Sequence, residues 1–307
     1  KSLNNPRGGY FDYGRQGTST TLELERLLTK LEESYHTFLT PTGFGAVFLT
    51  LFSILRPGDE LVIADPVYSP TRNLTEKYLK DFKILAKFYD PNDLSTIKKN
   101  ITNKTKLIYV ENPGSNTFEF QDLGKILSIA KNKKIYTAID NTWGTPYFLK
   151  PIKLGFDLSI VSGTKYYSGH SDVMGGSLAV SQRVFRNVLQ AHNMTGLRLS
   201  PDDAYLIMRG LRTLDVRLDK HQENTNKIAK FLSQKKNIEV LYPFKKNSKN
   251  YKLWKKYYSG SSGLMGLKIT SKNKKSVDKF VNSLDHFGHG YSWGGFESLA
   301  LHQEIKE

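Results

Sequence analysis

Short apolar runs rich in β-branched and aromatic residues recur along this chain, separated by polar segments with helical spacing. Residues 60–65, 84–88, 106–112, 136–139, 158–161 and 175–180 all read as strands, with helices such as 121–130 and 183–192 between or after them. A strand followed by a helix about every 25 to 30 residues does not build hairpins; successive strands cross over and lie parallel. The pattern therefore predicts an α/β fold, a mostly parallel sheet with helices on both faces. Ligands of such sheets sit outside the carboxyl ends of the strands. The chemistry is to be sought where the apolar runs stop.

Two of these ends carry reactive groups. The run 158–161 leads into Ser162-Gly163-Thr164-Lys165-Tyr166-Tyr167-Ser168-Gly169-His170-Ser171-Asp172. A lysine just past a buried strand is poorly hydrated, which lowers its pKa and frees the amine as a nucleophile. A Schiff-base lysine needs that environment, although a lysine snorkelling from a strand end would look the same. About one strand-helix unit upstream, the run 136–139 closes on Asp140, in Ile139-Asp140-Asn141-Thr142-Trp143. An Asp to face a pyridinium nitrogen and a Lys to hold the aldehyde are the two groups that pyridoxal phosphate most requires of a protein.

Weaker signals surround these two. Thr40-Pro41-Thr42-Gly43-Phe44-Gly45-Ala46 opens a helix, where glycine admits close approach and free amides favour a phosphate. Tyr68 follows the run 60–65 and can stack on a planar ring, or be a surface loop tyrosine. Tyr13 and Arg15, two apart on a segment read as extended, point to one side and can clamp a phosphate. His170 and Asp172 are read as hydrogen-bonding groups that fix their loop. The segment 20–35, with Leu22, Leu27, Leu28 and Leu31 at helical spacing, is read as a structural helix.

Composition narrows the class. With 307 residues the chain can bury a sizeable core and is expected to hold about two domains. It contains no cysteine, so disulfides, thiolate metal sites and cysteine nucleophiles are excluded, and no metal is called for. The longest apolar stretch, 44–55, is too short to span a bilayer and is broken by Thr50 and Ser53. No signal peptide is read, no membrane association is expected, and a cytoplasmic location is the default. A formal charge of +16 raises the question of nucleic acid. The excess is mostly lysine scattered through helices and loops, without a recognition motif, so no nucleic-acid role is assigned.

The motifs SGTKYYSGHSD, IDNTW before it and YSWGGFESLAL near the end, long and in this order, resemble the Cys/Met-metabolism family of pyridoxal-phosphate enzymes, and within it the bacterial β-lyases. The similarity covers essentially the whole chain. It implies that Lys165 carries the cofactor and acts as the base. Asp140 would hold the ring nitrogen, Tyr68 would stack on the ring, and Gly43, Phe44, Ser162 and Thr164 would hold the phosphate. Tyr13 and Arg15 would reach into a neighbouring subunit's site, which implies a homo-oligomer, a dimer of dimers with shared sites. Ser292 and Trp293 would line the substrate side, and Trp293, where γ-class members typically carry Leu, leans toward the β-lyases. The catalytic set so implied is Lys165, Tyr68 and Tyr13. The implied reaction is β-elimination of cystathionine to homocysteine, pyruvate and ammonia; a γ-class relative or a catalytically impaired fragment are the alternatives.

The same resemblance divides the chain into a remnant of an N-terminal arm (1–15), a pyridoxal-phosphate-binding domain (16–211) and a smaller, incomplete α+β domain (212–307). Family members continue past the equivalent of Glu307 to an arginine that pairs with the substrate carboxylate. The chain is therefore expected to be truncated at both ends.

Overall fold

The computed structural model describes residues 13–246, 248–271 and 273–305. Most of the segment 1–15 thus lies outside the described residues. The core is a seven-stranded sheet made of β1 (His36–Thr40), β2 (Glu60–Ala64), β3 (Leu85–Tyr89), β4 (Thr105–Glu111), β5 (Tyr136–Asp140), β6 (Leu158–Ser162) and β7 (Gly176–Val180). Their order across the sheet is β1-β7-β6-β5-β4-β2-β3. Strands β2 to β6 run parallel, while β7 is antiparallel to both of its neighbours, β1 and β6. This is the expected mostly parallel α/β sheet. Every residue of β1, β2 and β7 is buried, which requires cover on both faces.

Register brings five strand ends to one edge. Glu111 lies opposite Asp140, and Asp140 opposite Ile160. Ser162 pairs with Gly176, and Gly176 with Thr40. The carboxyl ends of β1, β2, β4, β5 and β6 thus open on the same side.

Helix α1 (Ser19–Glu32) begins at a reciprocal cap. The Thr21 N–H donates to Thr18 Oγ1 at 3.3 Å, and the Thr18 N–H to Thr21 Oγ1 at 2.8 Å. It stops short of Tyr35 because Glu33 turns left-handed, at φ 50°. Leu24 and Leu28 face the core, whereas Leu27 is 40% exposed and lies off the buried stripe. Helix α2 (Gly43–Ile54) packs on β6 and β7, and its apolar sequence reflects that burial.

Two helices, Pro201–Leu211 and Leu214–Leu232, meet at a break over Arg212 and Thr213. Arg217 spans the break, donating to the Gly210 carbonyl at 2.8 Å and, through its Nε, to the Thr213 hydroxyl at 3.0 Å. The basic aromatic stretch 244–258 contains the helix Lys249–Tyr257, capped by Ser248, whose hydroxyl accepts from the Tyr251 N–H at 3.1 Å. Its aromatics face inward: Trp254 packs against the core, and Tyr258 just beyond the helix is buried.

A second, two-stranded antiparallel sheet, β8 (Ile238–Leu241) with β9 (Gly266–Ile269), belongs to the C-terminal part. It is tied to the large sheet by buried aromatics. The Trp143 indole donates to the Leu264 carbonyl at 2.9 Å, and the Gly263 N–H donates to the Tyr166 hydroxyl at 2.9 Å. The Tyr258 hydroxyl donates to the Asn112 carbonyl at 2.7 Å and accepts from its amide at 2.9 Å. Trp143 and Tyr166 follow the strand ends that carry Asp140 and Ser162, so these bonds fix the strand-end loops against the smaller part.

Candidate active site

Lys165 lies three residues beyond β6, in a turn closed by its N–H donating to the Ser162 carbonyl at 3.2 Å. Its ammonium donates to Ser292 Oγ at 2.9 Å and sits 5.2 Å from the centroid of the Trp293 ring. Desolvation lowers its pKa. The segment holding Ser292 and Trp293 comes this close because Gly294 is a glycine. It has φ +86°, and a Cβ there would lie 2.9 Å from the Lys165 carbonyl carbon.

Asp140 ends β5. Its carboxylate accepts from the Thr142 N–H at 2.9 Å and from the Thr142 hydroxyl at 2.6 Å. The same hydroxyl accepts from the Ser162 N–H at 3.0 Å. Thr142 thus joins the end of β5 to the end of β6. Opposite Asp140 in register, on β4, is a second carboxyl, Glu111. Burial pushes both carboxyls above the usual range, and the Asp140 charge raises Glu111 further. A cation placed against Asp140 would reverse that shift and favour its ionised form.

The head of α2 reaches the same edge. The Thr42 hydroxyl accepts from the Gly45 N–H at 2.9 Å. The Gly43 and Phe44 amides, first in the helix, have no intrahelical acceptor and point out of its positive end. Gly43 abuts Ser162 so closely that a Cβ would lie 2.5 Å from the Ser162 Cβ and Oγ. Thr164 closes the loop with Gly175: its hydroxyl accepts from the Gly175 N–H at 3.1 Å and faces the Gly175 carbonyl at 3.3 Å. On the other side, Tyr68 precedes the short helix α3 (Ser69–Asn73), with its side chain 48% exposed. Its backbone N–H donates to Glu111 Oε2 at 2.7 Å.

The structure therefore gathers Lys165, Asp140, Ser162, Thr164, Gly43, Phe44, Tyr68, Ser292 and Trp293 along one rim. It does not bring Tyr13 and Arg15 to that rim within the chain. Tyr13 is extended, but the chain turns directly after it, because Gly14–Gln16, with Arg15 inside, forms a 3₁₀ turn. The Arg15 guanidinium lies 5.5 Å from the Tyr13 ring and 3.5 Å from the Asn193 carbonyl. Glycine at positions 14 and 17 flanks Arg15 and lets the backbone tighten there. His170 fastens its own loop, its Nδ1 lying 2.6 Å from the Ser168 carbonyl. Three positions had no assigned role in the sequence: Glu111, Thr142 and Gly294. Glu111 does share the strand-end position that singled out Asp140.

The donor set fits pyridoxal phosphate. Two helix-start amides and hydroxyls can hold the phosphate, a carboxyl can face the ring nitrogen, and a desolvated amine can bind the aldehyde. The glycine contact at Ser162 leaves the head of α2 close to that hydroxyl.

Comparison with known proteins agrees with this chemistry. The family model for the Cys/Met metabolism PLP-dependent enzymes matches residues 1–307. A putative cystathionine beta-lyase of Rhizobium johnstonii is 37% identical over 302 residues, covering 97% of this chain and 76% of that protein. An L-alanine/L-glutamate racemase of Wolbachia pipientis is 34% identical over 295 residues, covering 95% and 72%. The crystal structure of cystathionine gamma-lyase from Lactobacillus plantarum, complexed with L-serine, superimposes with a TM-score of 0.90. It is 27% identical and is matched over 97% of this chain and 78% of that one. On the match over its whole length and on the rim just described, the chain belongs to the Cys/Met-metabolism family of pyridoxal-phosphate-dependent enzymes.

Proposed function

We propose that the chain catalyses β-elimination of cystathionine, giving homocysteine, pyruvate and ammonia. The observation that carries the reading is Lys165, a desolvated amine held 2.9 Å from Ser292 and 5.2 Å from the Trp293 ring, at the edge where Asp140 ends its strand. Pyridoxal phosphate, when bound, supplies the electron sink for the pair left when the substrate Cα loses its proton. Lys165 accepts that proton as general base, its lowered pKa leaving more of the amine neutral near pH 7. Asp140, itself held by Thr142, would face the ring nitrogen and keep it protonated. The Gly43 and Phe44 amides, with Ser162 and Thr164, bind the phosphate. Tyr68 would stack on the ring. Ser292 and Trp293 hold the Lys165 amine and would orient the substrate. Tyr13 and Arg15 of a second copy complete the phosphate site, in a homo-oligomer with shared sites.

The relatives' names span elimination at Cβ, elimination at Cγ and racemisation, all of which begin with loss of the Cα proton. Product identity separates them. With cystathionine, β-elimination yields pyruvate and homocysteine. Detection of 2-oxobutyrate and cysteine instead would replace this reading with the γ-class one. Turnover of L-alanine to D-alanine without any cystathionine cleavage would replace it with a racemase.

A further inference from the structure

Glu111 is a partly buried carboxyl that no step of the proposed reaction uses. It ends β4 beside Asp140, and burial next to another carboxyl is costly unless it secures something. What it secures is backbone: the Tyr68 N–H donates to Glu111 Oε2 at 2.7 Å, across 43 residues of sequence. The turn after β4 grips the same loop a second time, where the Ser115 N–H donates to the Pro66 carbonyl at 2.7 Å. Arg72 ties the far side of the loop, donating to the Asp65 carbonyl at 2.6 Å and to its carboxylate at 2.5 Å. The Tyr68 ring is half exposed, so packing alone does little to place it.

We propose that Glu111 is a positioning residue: it holds the Tyr68 backbone in fixed register with Asp140, so that one pair of adjacent strand ends sets both the ring-stacking and the ring-nitrogen contacts. The inference rests on the cofactor roles of Tyr68 and Asp140 proposed above. Burial beside Asp140 favours the neutral carboxyl, so the bond is a neutral oxygen accepting a backbone N–H, and losing that acceptor would strand the donor. Glutamine at position 111 would keep an acceptor at the same reach. Methionine would keep the volume and lose the acceptor.

The test is a titration of the purified full chain with pyridoxal phosphate, read by visible absorbance for affinity and by induced circular dichroism for ring placement. Glu111→Gln should stay within about twofold of the unaltered chain. Glu111→Met should weaken binding roughly tenfold or more, the range expected when an N–H is left without its acceptor. It should also diminish the induced dichroism. In a Tyr68→Ala background, the further loss from Glu111→Met should shrink to about twofold or less, because the residue being positioned is gone.

A Met variant matching the unaltered chain overturns the proposal, and so does a Gln variant as impaired as Met. An undiminished tenfold loss in the Tyr68→Ala background overturns it as well. Should Met prevent folding by far-ultraviolet dichroism, Glu111→Asp, with its shorter reach, takes its place, and an Asp variant matching the unaltered chain is then the contrary result. If the unaltered chain takes up no cofactor at all, the underlying functional reading fails instead.

Discussion

At the residue scale, the site depends on close approach more than on any single reactive group. Gly43 is the sharpest case. A Cβ there would lie 2.5 Å from both the Cβ and the Oγ of Ser162, and a Cβ cannot swing aside as a flexible side-chain end can. Gly43→Ala should therefore push the head of α2 off the end of β6. Overpacking of this kind costs about 1–3 kcal/mol, and it displaces the amides proposed to hold the phosphate. The expected outcome is a Kd for pyridoxal phosphate raised at least tenfold, with the melting temperature lowered by a few degrees. Equilibrium titration and a thermal melt of the same preparation check it. An unchanged Kd would remove Gly43 and Phe44 from the phosphate site.

At the element scale, the C-terminal end of α1 carries a group whose ionisation opposes folding. Glu32 is fully buried, with the Ser159 hydroxyl 3.4 Å and the Tyr167 hydroxyl 3.3 Å from its carboxyl. Burial pushes its pKa up to about 8, against an ordinary 4.5. A carboxyl raised by folding keeps its proton where the unfolded chain has lost it. Its contribution is thus most favourable below pH 4.5 and is lost as pH rises through about 8. At about 1.4 kcal/mol per unit, the loss by pH 9 is on the order of 3–5 kcal/mol, an upper bound. Glu32→Gln should melt several degrees above the unaltered chain at pH 9 and show little advantage at pH 5. Melting curves across that range decide it, and parallel pH profiles for the two proteins would mean that Glu32 ionises without cost.

The elements also show which parts of the fold were legible in the chain. The ends of β5 and β6 could be read because a β-branched run stops abruptly at Asp140, or just before Ser162 and Lys165. What escaped was relational. The residues His36–Thr40 form a fully buried strand whose only strand partner among the described residues is β7, an antiparallel neighbour 136 to 144 positions away by register. No local pattern marks such a pairing. The opposition of Glu111 to Asp140 likewise follows from strand order, which is a tertiary property. The helix Lys249–Tyr257 was obscured by its lysines, because only the inward packing of Trp254 and its neighbours makes that basic stretch amphipathic. The extended backbone expected at Arg15 failed for a simpler reason: spacing two apart implies a shared face only on an extended chain, and here the chain turns.

At the scale of the whole molecule, the proposed function makes the site one shared between two chains. Tyr13 and Arg15 lie away from the rim, at the surface near Asn193, and Tyr13 is 62% exposed. Site sharing makes a definite prediction for mixed oligomers. Lys165→Ala lacks the attachment point but still offers Arg15, whereas Arg15→Ala lacks the clamp but keeps its own lysine. Co-refolding the two should assemble heterodimers with one intact site, and cofactor uptake and turnover should rise above either parent. Recovery no greater than that of the separate variants would mean that each chain builds its site alone. The bonds from Trp143 and Tyr166 to Leu264 and Gly263 cross between the two parts of the chain. Cofactor binding should accordingly raise the melting temperature of the whole chain in a single transition.

The central claim is that Lys165, at the carboxyl edge of the sheet beside Asp140, is where pyridoxal phosphate attaches. Borohydride reduction of the cofactor-loaded protein, followed by proteolysis and mass mapping, tests it most directly. The account predicts one dominant reduced pyridoxyl label, on the peptide containing Lys165, and its disappearance in Lys165→Ala. A dominant label on any other lysine, or the same labelling in Lys165→Ala, would contradict it.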